Sequence, residues 1–218
     1  MTIGIILIVI AVAEFLLGLY FLLAYQRSQA TTWYGLFCIA VSIYVGANGI
    51  GYLIENFFIA ERFGWAGGLL TAVFILPFSY SFPVPKKRVS ELLPLILWPV
   101  LAFVPVTLWT NLFLVDIGVI SYRAGYQTAA GQFFWALLTV FSVYWSWAMI
   151  NLFRWYAQSD GLHRLQLRLI IFGILVSLGV SIVFDIIYPL VTVSRLGYIG
   201  SMFSAIWLGF TSYILVRK

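Results

Sequence analysis

At 218 residues the chain has room for one domain of ordinary size, and its composition decides the solvent: 63% is hydrophobic, 9% is charged, and the mean hydropathy is +1.05. Soluble domains carry about 25% charged residues, so this little charge cannot cover a water-facing surface, and lipid must cover most of it. The net charge of +5 would point to nucleic acid in a soluble chain, but here the basic residues lie between apolar runs, where they set topology and meet anionic lipid headgroups; no nucleic-acid partner is expected.

A helix needs about 20 apolar residues to cross the hydrocarbon core. Seven stretches qualify, at roughly 3–25, 32–54, 63–82, 92–112, 132–153, 166–190 and 196–216. The expected fold is therefore an all-α integral membrane protein, a seven-transmembrane helix bundle forming a single domain over 1–218. The first stretch lacks a basic leading segment and is long enough to span, so it reads as a retained helix rather than a cleaved signal. Pro77 falls inside the third stretch, and Pro94, Pro99 and Pro105 inside the fourth. Prolines persist in membrane helices where neighbours re-satisfy the backbone, so kinked helices are expected there. One connection is long: residues 113–131 alternate apolar and polar residues and end near Gly131. They read either as a short hairpin capping the mouth of the bundle or as a tether with no ligand role.

Orientation follows from the basic residues. Arg27, Lys86, Lys87, Arg88, Arg154, Arg164, Arg168, Arg217 and Lys218 fall on one side, nine of the twelve; only Arg62, Arg123 and Arg195 fall on the other. The rule that positive charge stays inside makes the first side cytoplasmic, with the N-terminus outside, the C-terminus inside and 113–131 extracellular. Of the cytoplasmic set, Lys86, Lys87, Arg88, Arg164, Arg168, Arg217 and Lys218 are the expected lipid-headgroup contacts. The expected location is a cell membrane, crossed several times.

Ionisable groups within spans are costly and so mark function by default. Glu14 sits near the middle of the first span, Asp185 toward the outer end of the sixth, and Asn48 at a comparable depth on the second. Facing inward, these three would line a polar pocket in the outer half, with Arg62, Arg123 or Arg195 as counter-charges at its rim. Glu14, Asn48, Asp185 and Arg123 are thus the candidate ligand contacts. The alternative is that Glu14 and Asp185 make hydrogen bonds between helices that only fix packing. Glu55, Glu61 and Arg62 read as solvated interface residues. Trp135, Tyr144, Trp145 and Trp147 are candidates to line an apolar pocket. "VGANGIG" (45–51), "GWAGG" (64–68), Gly173 and Gly179 permit close helix contact, static or mobile.

No catalytic constellation emerges. The lysines lie at span edges, so a deep Schiff-base lysine is missing. His163 is in a loop, which leaves haem, zinc and Ser/His chemistry without ligands, and no P-loop occurs. Cys38, the only cysteine, excludes an internal disulfide and a cysteine metal cluster. No metal, cofactor or enzymatic activity is expected.

Three segments in order carry a family resemblance: "LPFSYSFPVPKKR" (76–88), "NLFRWYAQSDGLHRLQLRLIIFG" (151–173) and "DIIYPLVTVSRLGYIGSMFSAIWLGFTSYILVRK" (185–218). Together they resemble the N-terminal seven-helix sensor region of bacterial histidine kinases. The resemblance implies a non-catalytic receptor that detects an extracellular or membrane-borne signal, such as a small molecule or peptide. It would relay that signal to a cytoplasmic kinase or other signalling domain, fused after the seventh helix or separate, and a homodimer is one assembly it leaves open. Two other readings stand beside it. One is a small transporter using Glu14 or Asp185 as a proton or cation site; the other is a non-catalytic membrane scaffold.

Overall fold

The computed structural model describes residues 2–25, 28–54, 57–83, 89–112, 114–121, 125–130, 134–187 and 198–216. Among them are seven helices: α1 (Thr2–Leu19), α2 (Gln29–Gly51), α3 (Phe57–Ser81), α4 (Val89–Trp109), α5 (Phe134–Gln158), α6 (Gly161–Ser181) and α7 (Tyr198–Val216). The chain is thus the helical membrane bundle expected from its apolar runs. Six of these helices are long and apolar enough to cross a membrane. The backbone of α4, 21 residues long, runs helically past Pro94, Pro99 and Pro105, as α3 does past Pro77.

Two helices continue as π-helical turns, α1 through Tyr20–Ala24 and α6 through Ile182–Ile187. Between α4 and α5 the chain forms an antiparallel hairpin of β1 (Leu114–Ser121) and β2 (Gly125–Ala130), irregular in register between Asp116 and Ser121. The alternation read in 113–131 therefore produces a hairpin, and β2 packs on α3.

Local chemistry sets the helix ends. Ser28 caps α2: its hydroxyl accepts from Thr31 N at 3.2 Å, and the Thr31 hydroxyl accepts from Ser28 N at 2.9 Å. Only Ser159 and Asp160 separate α5 from α6, and Gly161 completes the turn at φ 56°, a conformation in which a side chain is strained.

Packing follows polarity. The two most apolar spans, α1 and α6, are the least buried, whereas the less apolar α2 and α3 are the most buried. This is the order lipid imposes, since a helix shielded by neighbours can carry the polar groups that hydrocarbon will not solvate. The main core gathers Leu7, Phe21, Tyr34, Phe37, Leu76, Phe78, Leu152, Leu167 and Leu208; a smaller cluster of Leu69, Val73, Val100 and Leu137 joins α3, α4 and α5. Where α1 crosses α2, the backbones almost touch. A Cβ added to Gly18 would lie 2.8 Å from the Gly35 carbonyl oxygen, and one added to Gly35 would lie 2.9 Å from that of Gly18. α7 closes the bundle by packing on α1, α2 and α6. The hairpin shares its end of the bundle with the start of α1, the end of α2 and the start of α7.

Candidate functional site

The polar interior is organised by α7. Ser201 and Ser204 are three residues apart and so share one helix face. Ser204 Oγ lies 3.1 Å from Glu14 Oε1 on α1 and 2.6 Å from the Ser201 carbonyl oxygen. Ser201 Oγ accepts from Asn48 Nδ2 on α2 at 3.0 Å. Glu14, Ser204, Ser201 and Asn48 therefore form one chain across three helices. It starts near the hairpin end, where Asn48 and Ser201 lie close to their helix termini, and runs inward to Glu14. The Glu14 side chain is 3% exposed, and its Oε2 has no hydrogen-bond partner among the described residues.

Further along α7 the contacts continue. Tyr34 OH donates to the Leu208 carbonyl at 2.6 Å and lies 3.0 Å from Ser212 Oγ, which itself donates to Leu208 O at 2.7 Å. Near the opposite end Tyr25 OH donates to Leu215 O at 2.9 Å, and Gln166 Nε2 to Ile214 O at 3.4 Å. Trp207 lies edge-on to Phe37, centroids 5.1 Å apart, and its indole covers Gly173 of α6. A series of side-chain bonds to α1, α2 and α6 thus holds α7 from Ser201 to Leu215.

Of the four candidate ligand contacts, two are brought together. Glu14 and Asn48 belong to the same hydrogen-bonded chain. The backbone of Asp185 lies in the π-helical turn Ile182–Ile187, which packs on α7. Arg123 lies outside the described residues, as do Arg27, Glu55, Lys86, Lys87, Arg88, Arg195, Arg217 and Lys218. Arg164 and Arg168 lie exposed on the first turns of α6, Arg164 with its guanidinium 5.1 Å from the Tyr156 ring centre.

Arg62 does something other than sit solvated at an interface. Its guanidinium donates to the Leu108 carbonyl at 3.0 Å and to Asn111 Oδ1, and it lies 4.3 Å from the Phe58 ring centre. It thereby caps the C-terminal turn of α4, where carbonyls lack helical partners. The aromatic set on α5 divides. Trp145 is buried against Phe37, whereas Trp135 and Trp147 line, with Thr139, Ser142 and Ser146, an open groove of about 540 Å³. The residues lining that groove all belong to α5, so it is separate from the Glu14 chain.

Ser201, Ser204, Ser212, Tyr34 and Tyr25 did not stand out in the sequence. The signal available was the placing of hydroxyls at 201, 204 and 211–212, three and then seven to eight residues apart, on one face of an otherwise apolar helix.

Compared with known proteins, the chain matches over residues 6–215 a family model described as the N-terminal 7TM region of histidine kinase. A search among curated proteins gave no match.

Proposed function

Because the chain belongs to the family of N-terminal seven-transmembrane regions of histidine kinases, we propose that it receives an extracellular or membrane-borne signal and relays it along α7 to a cytoplasmic signalling domain. Membership carries the coarser statement by itself: a multi-pass membrane sensor region, itself non-catalytic, with kinase activity lying in other domains. The finer reading rests on α7. Its side chains and carbonyls are bonded to three other helices from Ser201 to Leu215, a rise of about 21 Å at 1.5 Å per residue. A signal that changes the packing at Asn48 and Glu14 therefore acts on the same rod that Tyr25 and Gln166 hold at its far end. Such a signal needs a different affinity for the two packings; the Glu14–Asn48 chain, and the Asp185 turn that packs on α7, support that reading.

In this reading the single seven-helix domain has its N-terminus outside and its C-terminus in the cytoplasm of a bacterial or archaeal cell. The hairpin and Arg123 lie over the receiving end, and the lysines and arginines at 86–88, 164, 168 and 217–218 meet anionic headgroups. The α5 groove is the face a membrane-borne ligand would meet.

The test joins Val216 in helical register to a histidine-kinase module and measures autophosphorylation in membranes. Asn48→Ala and Tyr34→Phe, which loosen α7 at two depths, are expected to shift the basal rate about 5-fold or more, the low end of ordinary allosteric coupling. An unchanged rate with equal amounts of folded protein sinks the relay.

A further inference from the structure

We propose that Glu14, Ser201, Ser204 and Asn48 form a binding site for one small monovalent cation, sodium in size, inside the membrane bundle. The argument begins with charge. The Glu14 carboxyl is buried, Oε1 has a single serine neighbour, and Oε2 has none. No basic side chain is paired with it among the described residues. Arg62 is committed to the end of α4, while Arg154, His163, Arg164 and Arg168 cluster about the α5–α6 turn at the opposite end of the bundle. A buried carboxyl is tolerated when it is protonated or when a counter-charge or a metal ion neutralises it, and here sodium would take the place of the proton.

The groups linked to Glu14 are those a hard cation takes. They are the Ser201 and Ser204 hydroxyls, the Ser201 carbonyl and the Asn48 amide, whose oxygen and nitrogen exchange places by rotation about the last torsion. In the absence of an ion these groups bond to one another at 2.6, 3.0 and 3.1 Å, and an ion entering between them would replace those hydrogen bonds. One carboxylate balances one positive charge, so a divalent ion would leave an excess. Nor do the described residues contain a group of three or more His, Cys, Asp or Glu side chains fit for such an ion. An ion held there ties α1, α2 and α7 together at one point.

The site stands or falls independently of the sensor reading, because its test needs no signalling partner. The full chain is purified in detergent, and thermal unfolding is followed at fixed pH and ionic strength while sodium chloride replaces choline chloride. The midpoint should rise by several degrees and saturate. That rise should vanish in Glu14→Gln, which keeps the side chain's shape, and shrink in Ser204→Ala. Equilibrium binding of radioactive sodium to the unsubstituted chain should approach one ion per chain, a result that holds even if Glu14→Gln fails to fold. A midpoint insensitive to sodium, a response to pH alone, or an equal rise in Glu14→Gln overturns the site.

Discussion

Individual residues in this bundle differ in how far a neighbour has grown to fit them, and two glycines on α6 illustrate the range. A Cβ on Gly173 would lie 2.2 Å from Trp207 Cδ1, whereas one on Gly179 would meet nothing within 4 Å. Trp207 is 4% exposed and edge-on to Phe37, so it cannot step aside without disturbing the core. Gly173→Ala should therefore lower stability by about 1–3 kcal/mol through overpacking. Gly179→Ala should be neutral or stabilising by up to about 1 kcal/mol through helix propensity. Paired thermal unfolding of the two variants checks this, and equal effects would mean that Trp207 does not pack on Gly173. Tyr34→Phe should be milder, about 0.5–1.5 kcal/mol, because Ser212 still donates to the Leu208 carbonyl after the phenol is lost. At this scale the sequence reveals charged and amide residues better than hydroxyls. Glu14 and Asn48 stood out because lipid makes such groups expensive. Ser201 and Ser204 did not, because a serine in an apolar helix can satisfy itself on its own backbone. Ser42, Thr71, Ser79 and Thr107 do so, each donating to a carbonyl three or four residues earlier.

Elements were legible where their cause is a length of apolar chain, and obscure where the cause is a single contact. The apolar runs announced the helices, and period-two alternation announced the hairpin. The π-helical turns at Tyr20–Ala24 and Ile182–Ile187 had no such signature, because a helix that is apolar all round shows no shift of face when a residue is accommodated. The cap on α4 was equally hidden: Arg62 is 46 residues from the carbonyl it serves, and sequence showed only a basic residue near a span end. That cap has a measurable consequence. α4 packs chiefly on α3, and the Arg62 bonds to Leu108 O and Asn111 join the ends of the two helices. Arg62→Leu should weaken this junction by about 1.5–3 kcal/mol, the range for hydrogen bonds to a charged group. Hydrogen exchange should show it as faster opening of the last turn of α4, with α2 unchanged. Arg62→Lys should fail to restore protection, because one ammonium group cannot reproduce the planar fork that reaches both acceptors. Uniform acceleration across the bundle would mean that the arginine supports global folding rather than this terminus.

For the whole molecule, the direction in which a signal travels depends on which end of the bundle faces the cytoplasm. Helix packing is indifferent to that choice, because the same contacts form in either orientation; the decisive term is charge outside the helices. By chain order nine of the twelve basic residues fall in the connections on the side opposite 113–131, and inserting the bundle the other way would carry those segments across the membrane. Cys38 makes the orientation measurable without first removing a native thiol, since it is 0% exposed in the core. The unsubstituted chain should not react with a membrane-impermeant maleimide, in intact or permeabilised cells. Thr128→Cys in β2 should be labelled in intact cells. Ser159→Cys, in the turn between α5 and α6, should be labelled only after permeabilisation. The reverse pattern would put the end of α7 outside the cell, where no cytoplasmic domain could receive what it carries, and the relay proposed for that helix would fall with it.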